Sequence, residues 1–312
     1  MSVVRLVFMG TPEFALTALN GLVADDHYEV VGVVTQPDRP KGRKMKLTPS
    51  VVKSRAEELG LPVMTPEKLN RDPQALETLK NWGAEAFVVV AFGQILSESV
   101  LNMPRFGSVN LHASLLPRWR GAAPIQRAIE NGDEQTGVAL QKMVKKLDAG
   151  EVLGVRSLAL TEDMDALSVH DELAKLGVEL LQVELMDYLR GNLTPEAQDE
   201  SQVTYAHKIE KSESAIDWNL SATKIFNKVR AFQLGPGCFT YWNGKKLKIH
   251  KCRPHTKKIN NRPGQIQIEG DQLVVGTGDG DLELIIVQPE SKQKLSVKEF
   301  ISGYRADWSN GP

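Results

Sequence analysis

The first half of the chain alternates short, continuous apolar runs with segments of helical periodicity. Apolar runs of this length predict strands buried on both faces, and the periodic segments between them predict helices. Strands are predicted at Val3–Met9, Glu29–Thr35, Leu61–Met64, Glu85–Ala91, Phe106–Leu111, Thr136–Lys142 and Val152–Leu160, and helices at Pro49–Leu59, Pro73–Trp82, Ala122–Asn131 and Asp165–Leu189. This alternation is typical of an α/β fold, here a Rossmann-like doubly wound, mainly parallel sheet with helices on both faces.

The pattern changes after residue 190. Residues 191–207 are polar and contain a proline, which predicts a linker. Beyond a helical segment, short alternating runs predict strands at Phe239–Trp242, Lys246–Lys251, Gly264–Ile268, Gln272–Val275 and Leu282–Val287. Turn residues separate these runs, and together they predict a small OB-like β-barrel. We therefore divide the chain into a first domain at 1–190, a linker at 191–207 and a C-terminal domain at 208–312.

Composition places the chain among ordinary globular proteins. Of its 312 residues, 25% are charged and 41% are hydrophobic, which is close to the average for soluble domains. The longest apolar run, Ala86–Phe92, is much shorter than the roughly 20 residues of a membrane helix, and the first residues lead into a strand rather than a signal peptide. We expect a cytoplasmic protein without a membrane partner, whose two cysteines stay reduced.

Basic residues are concentrated in two segments, although the net charge is −1. Between Tyr205 and Arg262, 13 lysines and arginines stand against 3 acidic residues. A Pro- and Gly-rich loop at 36–48 carries a second cluster, formed by Arg39, Lys41, Arg43, Lys44 and Lys46. Such clusters are suited to contact a phosphate backbone, although a solvated surface is the commoner meaning of any single charged run.

The stretch from Asn110 to Gly121 follows a predicted strand and then turns polar, proline-bearing and basic. Asn110 and His112 are two residues apart, so on an extended segment their side chains project from the same face. In parallel sheets ligands bind at the carboxyl ends of the strands, where this stretch and Phe92-Gly93 both fall. The G-x-G-x-x-G fingerprint is absent from the sequence, so a nicotinamide cofactor is not expected.

Asn110 and His112, with Asp148 further along the chain, would suit transfer of an acyl or one-carbon group to an amine. Such a reaction passes through an oxyanion, which an amide donor or a protonated imidazole stabilises, while a carboxylate assists proton movement. The residues alone leave plainer roles open, with His112 as a structural residue and Asp148 as a turn former. A serine hydrolase built on Ser114 is disfavoured because G-x-S-x-G is missing, and no His/Cys cluster has metal-ligand spacing.

Several motifs resemble one known family. Asn110-x-His112-x-Ser114-Leu115-Leu116-Pro117-x-x-x-Gly121, followed by Leu147-Asp148-x-Gly150, is similar to the signature of the formyltransferases that use 10-formyltetrahydrofolate. Gly10-Thr11-Pro12-Glu13-Phe14-Ala15 and Pro117-Arg118-Trp119-Arg120-Gly121 further resemble the branch of this family that formylates methionine on initiator tRNA. The resemblance extends essentially from end to end of the chain.

The resemblance implies a role for each part of the chain. It implies 10-formyltetrahydrofolate as formyl donor, initiator methionyl-tRNA as acceptor and no metal, with Asn110, His112 and Asp148 as the catalytic residues. The implied folate-binding residues are Ser114, Leu115, Leu116, Pro117, Phe92 and Gly93. The implied tRNA-binding residues are Arg39, Lys41, Arg43, Lys44 and Lys46 in the loop and Lys245, Lys246 and Lys248 in the C-terminal domain.

Two other functions stay open at this point. An enzyme of the same family that formylates an amino sugar or a purine precursor would share the three catalytic residues, but a small substrate would need neither the basic loop nor the basic C-terminal domain. An inactive tRNA-binding protein on the same scaffold would not require Asn110, His112 and Asp148 together. A monomer is the default expectation for the oligomeric state.

Overall fold

Two compact units make up the chain, and each is assembled from segments that are separate in sequence. The computed structural model describes residues 3–42, 45–256 and 261–304. The first unit consists of Met1–Gly121, Thr136–Leu158 and His170–Tyr205, and the second of Ala122–Gln135, Ala159–Val169 and Ala206–Pro312. The domain boundaries expected from the sequence, near residues 190 and 207, stay a prediction.

The secondary structure follows the predicted alternation of strands and helices. The strands are β1 (Val4–Gly10), β2 (Tyr28–Val34), β3 (Arg39–Lys41), β4 (Lys46–Thr48), β5 (Val63–Met64), β6 (Ala86–Val90), β7 (Ser108–His112), β8 (Arg120–Gly121), β9 (Gln135–Lys142), β10 (Val152–Ala159), β11 (Tyr205–Ala206), β12 (Cys238–Trp242), β13 (Lys245–Pro254), β14 (Ile266–Glu269), β15 (Gln272–Gly276), β16 (Asp281–Pro289) and β17 (Leu295–Ser296). The helices are α1 (Glu13–Val23), α2 (Val51–Glu58), α3 (Pro73–Asn81), α4 (Glu98–Leu101), α5 (Pro124–Asn131), α6 (Ala166–Gln182), α7 (Glu184–Leu189), α8 (Ala222–Ala231) and α9 (Val297–Gly303).

A mainly parallel sheet organises the first unit. In the part of the chain that the structure describes, this sheet has seven strands in the order β10-β9-β7-β6-β1-β2-β5. The pairs β1–β2, β1–β6, β2–β5 and β6–β7 are parallel, and β7–β9 is antiparallel. The predicted Rossmann-like, mainly parallel sheet is therefore confirmed.

The core of this unit follows from the apolar pattern of the central strands. Every position of β6 is buried, as expected for a strand covered on both faces. Helix α3 begins directly after Asp72, whose carboxylate accepts a hydrogen bond from the Ala75 N–H at 3.0 Å; this caps an otherwise unpaired donor. Strand and helix residues then form one buried cluster that includes Val7, Met9, Leu69, Leu79, Phe87, Val89, Phe92 and Val100.

The carboxyl ends of β1, β2 and β6 meet at one edge of the sheet. Thr11, just after β1, donates its hydroxyl to the Phe92 carbonyl at 3.0 Å, and the Gln36 side-chain amide donates to the same oxygen at 3.2 Å. Strands of one direction bring their following loops to one side, where α/β proteins bind ligands. The loops that follow these three strands therefore start from the same edge of the sheet.

An antiparallel sheet organises the second unit. Among the described residues it has six strands, in the order β12-β13-β16-β15-β14, with β17 paired to β16. All its strand pairs are antiparallel, which confirms the antiparallel C-terminal sheet; closure into an OB-like barrel stays a prediction. Within the described ranges, no helix combines the length and the apolar character that crossing a lipid bilayer requires.

Two local predictions differ from the structure. The single helix predicted at Asp165–Leu189 is divided at Val183, where φ is −105° and ψ is −69°. Leu181 before this break and Leu185 after it are both buried, so the apolar stripe that predicted one helix continues across two. The loop predicted at 36–48 contains the short β3–β4 hairpin, which the polar sequence did not indicate.

Candidate active site

Strand β7 carries Asn110 and His112 to the carboxyl edge of the sheet. Its two neighbours fix its register, with Asn110 opposite Val89 of β6 and Gln141 of β9. Asn110 is half-buried and His112 is 7% exposed. Because side chains alternate along a strand, both project from the same face. The structure thus brings the predicted amide and imidazole to one side of the strand end.

Both ring nitrogens of His112 face protein oxygens. Nε2 lies 2.9 Å from the carbonyl oxygen of Trp119, and because a carbonyl oxygen can only accept, Nε2 carries the proton. Nδ1 lies 3.8 Å from Oδ2 of Asp148, slightly beyond hydrogen-bonding distance. The proton-accepting edge of the imidazole therefore lies beside a carboxylate.

Asp148 is held in place by groups distant in sequence. Its Oδ2 accepts a hydrogen bond from the Gly121 N–H at 2.9 Å, and its Oδ1 accepts one from the Gln141 side-chain amide at 3.2 Å. Its backbone lies in the left-handed region, with φ at 46°, and its side chain is only 12% exposed. The carboxylate is thus fixed beside His112, and the structure brings these two predicted residues together.

The turn that follows Asp148 packs directly against the end of β9. A Cβ atom at Gly150 would collide with the carbonyl oxygen of Lys142. The Lys142 N–H in turn donates to the Glu151 carbonyl at 2.9 Å. Glycine at position 150 therefore permits the close approach of two backbone segments that places Asp148.

Several residues of the site were not predicted from the sequence. Gln141 is 1% exposed, and a glutamine directly after the apolar run at 138–140 of β9 was the signal that could have identified it. Gln198 lies in the predicted linker, where its sequence context gave no signal. Its side-chain amide donates to the carbonyl oxygens of Asp148 at 2.9 Å and Gly150 at 2.7 Å.

A buried guanidinium lies behind the Asp148 turn. The Arg120 side chain is fully buried; Nε and Nη2 donate to Gln198 Oε1 at 3.0 and 2.8 Å, and Nη2 also donates to Glu200 at 2.9 Å. Lys146 donates to the other oxygen of Glu200 at 2.6 Å. These hydrogen bonds, from Lys146 first and then from Arg120, lower the pKa of the Glu200 carboxyl below its ordinary value. Within the described ranges, no three His, Cys, Asp or Glu side chains are grouped to hold a metal ion.

The predicted folate-binding residues after β7 differ in what they expose. Ser114 is fully buried and donates its hydroxyl to the Arg118 carbonyl at 2.7 Å, so it stabilises the turn from within. Leu116 is 9% exposed. Leu115 and Pro117 are half-buried and provide the surface of this stretch that a ligand can contact.

The two predicted folate-binding residues after β6 show the same contrast. The Phe92 side chain lies in the core at 2% exposure, whereas Gly93 is exposed, with φ at 85°. The Phe92 carbonyl is held by Thr11 and Gln36, which the sequence did not indicate. These contacts fix the backbone path at the position where a ligand would approach the sheet edge.

The basic loop presents its cations on the β3–β4 hairpin. Arg39, Lys41 and Lys46 are exposed, and Lys41 lies opposite Lys46 across the hairpin. The other two predicted members, Arg43 and Lys44, lie outside the described residues. The hairpin borders a cavity of about 270 Å³ whose lining includes Thr11, Pro12, Glu13, Gln36, Pro37, Arg39, Lys41, Thr48, Ser50 and Val51.

In the second unit, Lys245, Lys246 and Lys248 lie on β13. Lys246 places its ammonium 3.8 Å from the centre of the Phe239 ring. Across the strand pair, Lys246 lies opposite Tyr241, which is 64% exposed. Cations beside exposed aromatic rings are typical of surfaces that bind nucleic acid.

Family profiles match nearly all of the chain. The profile described as formyl transferase matches residues 3–185, and the profile described as formyl transferase, C-terminal domain, matches residues 208–305. The chain belongs to the formyl transferase family. The family resemblance seen in the motifs around Asn110 and Asp148 is thereby confirmed.

A curated relative and two solved structures are similar to this formyl transferase over most of its length. The chain is 57% identical over 308 residues to methionyl-tRNA formyltransferase of Bdellovibrio bacteriovorus, covering 97% of each protein. It superposes on an N-formyltransferase from Helicobacter canadensis, in complex with folinic acid and dTDP-3-aminofucose, with a TM-score of 0.64 at 17% identity, over 94% of this chain and 100% of the other.

HypX from Aquifex aeolicus, solved in complex with tetrahydrofolic acid, gives a TM-score of 0.63 at 17% identity. The match covers 97% of this chain and 48% of HypX, so the chain spans about half the length of that protein. At this identity both solved structures show a shared fold and no more.

Proposed function

We propose that the protein transfers the formyl group of 10-formyltetrahydrofolate to the amino group of methionine on initiator tRNA, as a monomer in the cytoplasm. The observation that carries the proposal is the 57% identity to a methionyl-tRNA formyltransferase over 97% of both chains. The juxtaposition of His112 and Asp148 at the sheet edge supports it, because amide formation from an amine needs a proton acceptor there. The product is the formylated initiator tRNA used for translation initiation.

The proposed reaction is a direct transfer between two substrates. The amine nitrogen of methionine attacks the formyl carbon, which forms a C–N bond and a tetrahedral carbon bearing an oxyanion. The bond from that carbon to N10 of the folate then breaks, and the proton lost by the amine replaces the formyl group on N10. Because the nucleophile belongs to the substrate, the enzyme has to stabilise the oxyanion and move one proton.

The three candidate residues divide these tasks. Asn110 donates its amide N–H to the oxyanion, and a protonated His112 stabilises the same charge. Asp148 holds the imidazole edge and, through a bridging water, passes the proton from the amine toward N10. The fixed geometry of His112 between Trp119 and Asp148 supports this division, because pre-oriented groups need no rearrangement when charge develops.

Two basic surfaces support a nucleic-acid acceptor over a small one. The exposed cations of the β3–β4 hairpin, Arg39, Lys41 and Lys46, are suited to contact phosphates near the amino-acid end of the tRNA. Lys246 and Lys248 on β13, beside Phe239 and Tyr241, are suited to contact another part of the same molecule. An amino sugar has no phosphate backbone that would use both surfaces.

Formylation of defined acceptors tests the proposal. The purified protein is incubated with 10-formyltetrahydrofolate and either methionyl-initiator tRNA or an amino sugar nucleotide. We expect formyl-methionyl-tRNA as the product, and a single-turnover rate about a hundredfold to a thousandfold lower in Asp148→Asn and His112→Ala, as when donors are removed from an oxyanion site.

The matched control is Asp26→Asn, which makes the same change at an exposed carboxylate of the first unit and should retain the wild-type rate. Formylation of the sugar and not the tRNA would overturn the assigned acceptor. Near-normal transfer by both Asp148→Asn and His112→Ala would overturn the assigned chemistry while leaving the acceptor in place.

A further inference from the structure

A short segment, residues 198–204, contacts both sides of the His112–Asp148 pair within the first unit. At one end Gln198 donates to the backbone carbonyls of Asp148 and Gly150 at 2.9 and 2.7 Å. At the other end the Thr204 hydroxyl accepts a hydrogen bond from the Trp119 N–H at 2.9 Å. Trp119 is the residue whose carbonyl orients His112. One segment therefore fixes the supports of both side chains.

The orientation of the Gln198 amide is determined by its surroundings. Its Oε1 accepts from Nε and Nη2 of Arg120 at 3.0 and 2.8 Å. The reverse orientation would turn the oxygen toward two carbonyl oxygens and the amide nitrogen toward a guanidinium, so only one arrangement satisfies all partners. Both N–H groups of Gln198 are then directed at the turn that carries Asp148.

The Asp148 turn depends on such support because of its backbone. A non-glycine residue in the left-handed region costs roughly 1–2 kcal/mol compared with ordinary conformations, and Asp148 has φ at 46°. The carboxylate itself is held by Gly121 and Gln141, but its backbone carbonyl is held by Gln198. Losing that contact would let the turn relax away from the left-handed conformation and move Oδ2 relative to Nδ1 of His112.

We propose that Gln198 is a positioning residue of the formyl-transfer reaction, one that sets the separation between His112 and Asp148. Arg120 supports it by holding the amide in the one productive orientation. The proposal rests on the function proposed above. It gives the segment 198–204, predicted from its sequence only as part of a linker, a direct effect on the rate of the chemical step.

The test compares two matched glutamines on this segment. Gln198→Glu keeps the size of the side chain and the acceptor for Arg120 but removes both N–H donors to the Asp148 turn. Gln202→Glu makes the same change of charge at an exposed residue that donates to Asp199. We expect Gln198→Glu to lower the single-turnover rate about tenfold to a hundredfold, as misplacement of a reacting group does, with KM for both substrates unchanged.

The same substitution in an Asp148→Asn background separates positioning from general structural damage. If Gln198 acts through Asp148, then Gln198→Glu should change the rate of Asp148→Asn less than about twofold, because coupled residues are strongly non-additive. An undiminished loss in that background, or a Gln198→Glu rate equal to that of Gln202→Glu, would overturn the proposal. Gln198→Met, similar in size and uncharged, provides the same comparison if Gln198→Glu does not fold.

Hydrogen exchange keeps the test independent of the acceptor. Gln198→Glu should accelerate exchange of the backbone amides of 147–151 relative to wild type, whereas Gln202→Glu should not; equal protection in all three proteins would contradict the positioning role. If wild type formylates an amino sugar nucleotide instead of the tRNA, the proposed function fails, and the comparison of Gln198→Glu with Gln202→Glu is made on that acceptor.

Discussion

Left-handed backbone at non-glycine residues marks the loops around the site. Ala91, Trp119 and Asp148 have φ values of 47°, 63° and 46°, which side chains with a Cβ adopt at a cost of roughly 1–2 kcal/mol each. Such residues persist where surrounding contacts determine the conformation more strongly than local preference, and they concentrate at functional sites. Here the conformation directs the Trp119 carbonyl at His112 and the Asp148 carboxylate at the same ring.

Gly150→Ala tests how closely the Asp148 turn must approach β9. The added Cβ would collide with the Lys142 carbonyl oxygen, so the turn has to move. We expect destabilisation by about 1–3 kcal/mol, as for overpacking in a tight site, together with a fall in kcat for formyl transfer. Thermal unfolding and steady-state kinetics measure the two effects.

The control is Gly303→Ala, where a Cβ meets no neighbouring atom within 4 Å. Position 303 ends helix α9, so alanine there should leave kcat unchanged and stability unchanged or slightly increased. An unchanged kcat in Gly150→Ala would show that Asp148 tolerates displacement, which is contrary to the geometry.

Some residues of the candidate site follow from local sequence patterns, and others do not, for a physical reason. Asn110 and His112 were paired by strand alternation, which is a local rule. Asp148 fitted the same chemistry as a carboxylate, but its residue context left the role of a turn former equally open, and the family resemblance assigned it as their partner. The polar contacts of Gln141 and Gln198 with Asp148 span 7 and 50 positions in the sequence, and such contacts depend on how segments pack, which no local pattern specifies.

At the scale of elements, a network of ion pairs connects helix α5 to the segment before α8 in the second unit. The Arg127 guanidinium in α5 donates to Glu213 at 2.8 and 3.1 Å and to Glu130 at 2.7 Å. The Arg127 and Glu213 side chains are mostly buried, with exposed fractions of 16% and 32%. The hydrogen bond from Arg127 is the main cause that lowers the pKa of the Glu213 carboxyl.

The sign of this pKa shift predicts how Glu213→Gln behaves with pH. A carboxyl whose pKa is lower in the folded state than in the unfolded state stabilises the fold at pH values above its unfolded pKa, about 4.3. This stabilisation is lost as the pH falls through the folded pKa. We expect Glu213→Gln to lower stability by about 1–2 kcal/mol at pH 7, and the difference from wild type to shrink below about pH 4. Circular dichroism melting curves at several pH values measure it.

Asp271→Asn serves as the control for that measurement. Asp271 pairs with Lys298 at 2.8 Å in the same unit, but both side chains are more than half exposed, and such pairs contribute little. Its melting curves should stay close to wild type at every pH. A Glu213→Gln difference that persists at low pH would assign the effect to packing instead of charge.

Elements with strong periodicity were predicted well, and those defined by other causes were not. The buried strands β1, β2 and β6 lie where continuous apolar runs predicted them, since burial on both faces leaves a clear signal. The break at Val183 and the β3–β4 hairpin left no such signal in the sequence. In the first case the apolar stripe continues across the break, and in the second the paired strands are exposed and polar.

On the scale of the whole molecule, the distribution of charge is a better guide to a nucleic-acid partner than the net charge is. The total of −1 alone would argue against a nucleic-acid partner, whereas each unit carries its own exposed basic strand or hairpin. In the first unit this is the β3–β4 hairpin with Lys41, and in the second it is β13 with Lys248. Local clusters interact with phosphates over about a Debye length, roughly 8 Å at physiological salt, so distant acidic residues do not cancel them.

The salt dependence of tRNA binding tests whether these two surfaces form the contact area. Each phosphate contact releases counterions, so the logarithm of the binding constant falls with the logarithm of salt by about 0.7–0.9 per contact. We expect a steep slope for wild type, and a slope reduced by about 0.7–0.9 in Lys41→Ala and again in Lys248→Ala. Fluorescence anisotropy of labelled methionyl-initiator tRNA at several salt concentrations gives these slopes.

Lys80→Ala, at an exposed position of α3, removes a charge of the same kind outside both surfaces and should leave the slope unchanged. The double variant with Lys41→Ala and Lys248→Ala distinguishes one contact surface from two. If a single tRNA contacts both units at once, the two reductions in slope add, whereas an unchanged slope in either single variant would remove that surface from the contact area. KM for 10-formyltetrahydrofolate should stay constant throughout, because neither lysine is among the predicted folate-binding residues.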